Sequence, residues 1–252
     1  MWLMIGAPVY ERDWILPHYF EAIEKQDIPL SKIGFIFLVV ERDRSTIDCL
    51  LQWHSLHPEV RCFDLIYDTD EVHRSHPEGL RTWSKSRYQS LANMRNKILD
   101  KVVCHNPDRY MSLDSDILLE NPGTLRELIQ LTATLDAVSP LIYMTPQGVD
   151  FPGVMTFEGD PGTKGFRANP YPIGQLFQAD IIMAAVMMSR AVYQNSRYSW
   201  HRQGEDLGWA TDCAHKGYKL YCASHIYAPH VMHRAMLASY LVEGDSRASL
   251  RI

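Results

Sequence analysis

Tyr110-Met111-Ser112-Leu113-Asp114-Ser115-Asp116 is a short apolar run that ends on two aspartates one residue apart. Arg109–Leu113 reads as a buried strand, so the acidic pair falls at its carboxyl end, the edge where open parallel α/β sheets bind ligands. If the chain stays extended there, residues i and i+2 point the same way. Asp114 and Asp116 can then face one ion, with Ser115 between them. Hard divalent cations such as Mg²⁺ or Mn²⁺ take such oxygen ligands and bridge them to substrate phosphates. Two aspartates after a strand can equally cap the next turn. Their place behind a buried strand tips the reading toward the ion.

Outward from this stretch, apolar runs alternate with helical patterns. Trp2–Ala7 reads as a first strand, and a helix from about Leu16 to Lys25 follows, with Pro17 tolerated in its first turn. Ile33–Val40 is almost wholly apolar, as a strand buried on both faces should be. Ser45-Thr46-Ile47-Asp48 has capping-box spacing and opens a helix to about His54. Val60–Tyr67 is a third strand, Arg87–Cys104 a long helix, Thr124–Thr134 another helix, and Ala137–Tyr143 a further strand. From Gln147 to about residue 178 the chain is rich in Gly and Pro, which predicts an irregular loop region of the functional kind. An apolar run at Asp180–Met188, a helix at Glu205–Lys216 stopped by Gly217, and a strand at Tyr218–Ala223 complete the pattern. The expected fold class is α/β: one domain over 1–252, a mostly parallel mixed sheet flanked by helices.

Composition narrows the class of function. The 252 residues are 46% hydrophobic and 22% charged, ordinary for a globular domain, with a formal net charge of −5. That balance excludes a generally basic nucleic-acid footprint. Five cysteines, Cys49, Cys62, Cys104, Cys213 and Cys222, are scattered without a C-x-x-C pair, which reads as reduced core thiols rather than a disulfide or zinc framework. The opening Met1-Trp2-Leu3-Met4-Ile5-Gly6-Ala7 lacks a basic n-region and a cleavage site, so it is read as a strand and not a signal peptide. No apolar stretch approaches the roughly 20 residues of a membrane span. A cytoplasmic location is the expectation.

Three more groups carry chemistry. Tyr88, Leu91, Ala92, Ile98, Leu99 and Val102 form one helical stripe, and Arg95 falls near its middle. A guanidinium there must meet an anion, either an internal carboxylate or a bound diphosphate. Glu205 and Asp206 follow Gly204 at a helix start. They suit the helix dipole, or one serves as a base toward an attacking hydroxyl. His225, His230 and His233 cluster late in the chain. One imidazole joined to two carboxylates would suit Mn²⁺ better than Mg²⁺.

Taken in order, these segments resemble the GT-A glycosyltransferases, particularly family 2 and related mannosyltransferase-like families. Pro8-Val9-Tyr10-Glu11-Arg12 is similar to the opening Pro-x-Tyr-Asn-x segment. Val39-Val40-Glu41-Arg42-Asp43-Arg44-Ser45-Thr46-Ile47-Asp48 resembles Val-Val-Asp-Asp-Gly-Ser-Thr-Asp. Ala92-Asn93-Met94-Arg95-Asn96 resembles the helix with Ala-Arg-Asn, and Asp114-Ser115-Asp116 the D-x-D motif. Gly204-Glu205-Asp206 with Gly217-Tyr218-Lys219-Leu220-Tyr221 resembles the Glu-Asp helix and its following strand, and Pro229-His230-Val231 the place of a metal-binding histidine. The likeness runs from about residue 5 to 233. Glu41 and Arg44 depart from it, replacing an aspartate and a glycine.

The resemblance implies transfer of a sugar from a nucleotide-sugar donor, UDP- or GDP-linked, to an acceptor hydroxyl. Asp114, Asp116 and His230 would hold Mn²⁺ or Mg²⁺, and Arg95 would stabilise the departing diphosphate. Pro8, Tyr10, Glu11 and Glu41 would line the nucleoside pocket, with Ser115 at the donor. Asp206, or Glu205, would be the base if the anomeric carbon inverts; in a retaining enzyme it would only bind sugar. Asp180 is a further pocket candidate. Two alternatives remain: a sugar nucleotidyltransferase, which would normally open with a Gly-rich basic loop where this chain has Ala7-Pro8-Val9-Tyr10-Glu11, and a non-catalytic carbohydrate-binding protein. Arg74, Arg81, Lys85, Arg87, Arg95 and Lys97 make residues 72–97 locally basic. That leaves a polyanionic acceptor, including DNA with a hydroxylated base, as a minority reading. Trp83, Trp200 and Trp209 could stack on sugars or lie in the core.

Overall fold

Leu3–Val9 (β1) leads through Leu16–Glu24 (α1) to Ile33–Val40 (β2), and the alternation of their side chains builds the centre of the molecule. The computed structural model describes residues 1–69, 84–143, 153–167 and 171–248. Leu3, Ile5, Ala7 and Val9 enter one hydrophobic cluster with Phe35, Phe37 and Val39, while Met4, Ile36 and Leu38 enter a second on the opposite face. A strand covered on both faces has no position left for a polar side chain, so every residue of β2 is buried. The chain continues through Arg44–Leu56 (α2), Cys62–Asp68 (β3), Lys85–His105 (α3) and Arg109–Leu113 (β4). Thr124–Leu131 (α4) and Ala137–Tyr143 (β5) follow.

Helices α1, α2 and α4 cover the first face. Phe20 of α1 stacks on Trp53 of α2 with ring centroids 3.8 Å apart. Helix α3 lies on the second face through Ala92, Ile98, Leu99 and Val102. The second half of the chain adds Val154–Phe157 (β6), Gly165–Arg167 (β7), Leu176–Ala179 (β8), Ile181–Ile182 (β9) and Ala185–Ser189 (β10). Arg190–Asn195 (α5), Glu205–His215 (α6), Leu220–Pro229 (β11) and Arg234–Ala248 (α7) close it. The main sheet runs β3-β2-β1-β4-β10-β5-β11-β8. Neighbours among β3, β2, β1 and β4 are parallel, as are β5 and β11; β10 runs antiparallel between β4 and β5, and β8 antiparallel on β11. This is the mostly parallel mixed sheet expected, with helices on both faces.

The structure corrects or refines four of these readings. Helix α2 is capped by Asp43, whose carboxylate accepts from the Thr46 N–H at 3.4 Å, so it starts before Ser45. The apolar run at Asp180–Met188 is not one strand: Ala184 adopts φ +66°, and the break sends β9 and β10 into different sheets. The last strand extends to Pro229 through a register shift between Ala223 and Tyr227. Within the described part of the region 147–178, read as a loop or small subdomain, β6 and β7 pair with each other, and β6 pairs with β9 just beyond it, in a small antiparallel sheet. Within that region, residues 144–152 and 168–170 lie outside the described residues, as do Arg74, Arg81 and Trp83. All five cysteines are free. Cys213 and Cys222 are buried, Cys49 and Cys62 half-buried, and Cys104 is exposed rather than in the core. Trp209 is core, whereas Trp200 is exposed beneath the Lys85 ammonium at 4.8 Å.

Candidate functional site

The carboxyl ends of β1, β2 and β4 open into a cleft of about 730 Å³. Its lining combines apolar side chains, among them Pro8, Val9, Leu38, Val40, Leu91 and Met94, with the charged or ionisable Arg12, Arg95, Asp114, Asp116, Asp206 and His230. Nearly every sequence-selected residue is brought together here, but the carboxylates do not share one partner. The chain turns directly after β4, with the Ile117 N–H donating to the Asp114 carbonyl at 3.0 Å, so the extended geometry assumed for Asp114 and Asp116 is lost. Arg95 Nη2 donates to both Asp114 oxygens, at 2.9 and 3.1 Å. Asp116 instead receives Arg12 Nη2 at 3.0 Å, and its second oxygen lies 3.2 Å from His230 Nε2. Ser115, between them, is buried and lines the cleft.

His230 arrives from β11. An isolated antiparallel bridge between Ile117 and His230, and a 2.7 Å bond from the Val231 N–H to the Asp116 carbonyl, lock the two segments together. Its Nδ1 is buried and has no hydrogen-bond partner among the described residues. Among those residues no group of three or more His, Cys, Asp or Glu side chains gathers as a metal site.

Arg95 is the buried joint of the site. Nε donates to Glu205 at 3.2 Å and Nη1 to the Ser112 hydroxyl at 3.1 Å, and the guanidinium lies 5.4 Å from the Tyr198 ring centre. Burial pulls its pKa down, but Asp114, Asp206 and Glu205 outweigh that and hold it well above the ordinary arginine value. Of its two readings, the internal ion pair is realised, and it ties α3, β4 and α6 together. Gly204, at φ +134°, turns the chain into α6, a backbone region that favours glycine. Glu205 is then buried against Arg95 while the half-buried Asp206 faces the cleft, with no hydrogen bond of its own among the described residues. Burial, and then the neighbouring Glu205, push the Asp206 carboxyl well above its usual range; Arg95 opposes this and Asp114 adds to it.

Pro8, Tyr10 and Glu11, three of the residues expected around a nucleoside, line the cleft. Glu11 adopts φ +53°, and its N–H donates to Asp43 at 2.5 Å. Glu41 is exposed and does not line the cleft; the anchoring carboxylate of that loop is the buried Asp43, two residues on. The Asp43-Arg44-Ser45-Thr46 cap spacing was the signal for it. Asp180 is also outside the cleft: it is exposed and accepts from the Phe157 N–H at 3.0 Å. His225 pairs with Glu127 at 2.5 Å, and His233 lines the cleft while its Nδ1 accepts from the Met236 N–H at 3.3 Å. Sequence reasoning gave no individual role to Arg12, Trp14, Gln203 or Arg234 and counted Arg87 only within a basic stretch, yet all five line the cleft. Arg12 was visible as a cation placed directly behind the Pro-x-Tyr turn.

A family model for the N-terminal domain of glycosyltransferase family 25 matches residues 3–159. A glycosyltransferase 25 family member of Aedes aegypti is 26% identical over 141 residues, which are 56% of this chain and 23% of that protein. An inactive glycosyltransferase 25 family member 3 of Mus musculus is 28% identical over 130 residues, 50% of this chain and 21% of that one. The chain thus spans under a quarter of the length of these relatives. In structure it is similar to a mannosyltransferase of Pyrobaculum calidifontis solved with GDP-Man and Mn²⁺, at a TM-score of 0.60 and 17% identity, covering 94% of this chain and 59% of that one. At that identity the likeness concerns the fold, which is GT-A. No helix among the described residues is long and apolar enough to cross a membrane. The resemblance read from the sequence holds at the level of the GT-A fold. With well over half of its length matched by that N-terminal domain, this chain belongs to glycosyltransferase family 25.

Proposed function

We propose that this chain carries the donor site of a metal-dependent glycosyltransferase, moving a sugar from a UDP- or GDP-sugar to an acceptor hydroxyl. The cleft is the observation that carries this reading. Its volume of about 730 Å³ is of the size that takes a small-molecule ligand, and its lining joins apolar side chains to side chains of both charges. The apolar lining suits a nucleoside, with Pro8, Tyr10 and Glu11 around it, and the charged lining suits a diphosphate.

Asp116 and His230 suit Mn²⁺ or Mg²⁺. They present a carboxylate oxygen and an imidazole nitrogen 3.2 Å apart, and His230 Nδ1 has no hydrogen-bond partner among the described residues. One or two protein ligands completed by substrate phosphates is the usual arrangement for such ions. Asp114 stays in the proposed ligand set as the second carboxylate, with Arg95 as its counter-ion. A bound ion would supply positive charge to the departing nucleoside diphosphate. Arg95 adds to that field while holding Asp114 and Glu205 in place. Asp206 would take the acceptor hydroxyl's proton as its oxygen bonds to the anomeric carbon and the bond from that carbon to the diphosphate breaks, an inverting displacement. Its raised pKa suits a proton acceptor working near neutrality.

The test is a screen of UDP-, GDP- and dTDP-sugars for thermal stabilisation and slow donor hydrolysis, with and without Mn²⁺. One donor should stabilise the protein in an Mn²⁺-dependent way and be hydrolysed, and Asp116→Asn should lose both effects. Silence with every donor, with and without the ion, would overturn the proposal. A second reading is a nucleotide-sugar-binding protein without turnover, prompted by the relative named as inactive. Stabilisation without hydrolysis or transfer would select it.

A further inference from the structure

Asp116 is neutralised by a cation from its own chain. Arg12 Nη2 lies 3.0 Å from its Oδ2, the arginine side chain is 16% exposed and the aspartate 7%. The backbone of Arg12 is fixed at both ends. Its N–H donates to the Thr46 hydroxyl at 3.0 Å, and its carbonyl accepts from Ile15 and Leu16 at 3.0 Å each. Only the side chain is left to move. Its guanidinium lies 5.9 Å from the ring centre of Trp14, which also lines the cleft, a contact a cation can keep while its other partner changes. Asp116 has no such latitude: its carbonyl accepts from the Val231 N–H, Ile117 bridges to His230, and before it the Asp114 N–H donates to the Ala184 carbonyl. A second guanidinium, Arg87, lines the same cleft, where burial and then the charge of Arg12 make its own charged form less favourable. Arg12 and Arg87 give the cleft lining two cationic side chains, which suits an anionic ligand.

We propose that Arg12 is a placeholder cation: it balances Asp116 while the cleft holds no divalent ion, and when the ion binds it transfers to the donor's diphosphate. The inference rests on the reading of the cleft as a nucleotide-sugar site, and it gives Arg12 two successive partners within it. The exchange is even-handed in charge. A divalent ion takes the carboxylate from a monovalent cation, and the released guanidinium meets the incoming phosphates. Ion and nucleotide binding are therefore coupled through one side chain, each favouring the state that the other needs.

The experiment compares the wild type with Arg12→Gln and Arg12→Lys, measuring Mn²⁺ binding from the free-ion paramagnetic signal and GDP and UDP binding by calorimetry. Without nucleotide, Arg12→Gln should bind Mn²⁺ roughly fivefold or more tightly, because its competitor is gone. At saturating Mn²⁺ the same variant should bind the preferred nucleoside diphosphate about tenfold more weakly, having lost a charged partner. Arg12→Lys keeps a monovalent cation at Asp116 and should leave Mn²⁺ affinity near the wild-type value. Its melting temperature guards against a folding defect in the glutamine variant. Unchanged or weakened Mn²⁺ affinity in Arg12→Gln overturns the inference, as does a lysine variant that behaves like glutamine. If the wild type still binds Mn²⁺ and nucleotide together in those cases, the transferase reading stands alone. If no protein binds either probe, both fall.

Discussion

Asp206 lies beside Glu205 at the start of one helix, and of these two carboxylates only Glu205 is bonded to Arg95. Burial and this neighbour raise the Asp206 pKa, so the folded protein holds that proton more tightly than the unfolded chain does. The folded state therefore gains stability below the ordinary aspartate range and loses it as pH rises through the elevated value. Replacing Asp206 with Asn removes the ionised form without changing shape. At neutral pH it should raise stability by about 1 kcal/mol, seen as about 2–4 °C in melting temperature. The same change should lower sugar transfer by roughly 10²–10⁴-fold if Asp206 is the base. A destabilised Asp206→Asn protein would contradict the first expectation, and full activity the second. In the wild type, activity should rise with pH on an acid limb displaced above the ordinary aspartate range.

At the scale of elements, α6 carries the acidic pair only because it can approach the segment before it. A Cβ built on Gly208 would stand 2.0 Å from the Ser199 carbonyl oxygen, a backbone atom that cannot turn aside. Gly208→Ala should therefore push α6 outward and cost about 3 kcal/mol, measurable by urea denaturation, with donor binding weakened as well. An unchanged midpoint would show that the contact is not tight. Ile33–Val40 and Arg109–Leu113 were legible in the sequence because a doubly covered strand leaves a continuous apolar run. Arg95 was legible as a charge on an apolar stripe. What sequence could not show was partner choice. Asp114 turns to Arg95 and Asp116 to Arg12 because of a turn after Leu113 that residue spacing does not encode. Glu41 was expected at the nucleoside on resemblance alone; it is exposed and outside the cleft lining, and the buried carboxylate of its loop, Asp43, caps α2 instead. The small sheet of β6, β7 and β9 escaped notice because strands of two to four residues carry too little alternation to detect.

For the molecule as a whole, the charge balance bears on the acceptor. The formal net charge is −5, and the described part of the basic stretch is largely committed internally. Arg95 is buried among carboxylates, Lys97 pairs with Asp68 at 2.7 Å, and Lys85 sits over Trp200. Duplex DNA, with or without hydroxylated bases, should accordingly show no steeply salt-dependent binding in a mobility-shift series between about 50 and 200 mM salt. A steep loss of binding across that series would restore DNA as an acceptor.

The reversed strand β10 has a consequence for how the chain is made. Its partners β4 and β5 are both complete before it exists, and roughly 70 residues separate the end of β4 from its start. During synthesis the four parallel strands can assemble early, but the β4 edge then waits, its backbone groups unpaired, until β10 leaves the ribosome. Closing that edge also brings the Ala184 carbonyl onto the Asp114 N–H at 2.8 Å, so the nascent chain acquires its finished acidic turn only once the segment that carries Ala184 has emerged.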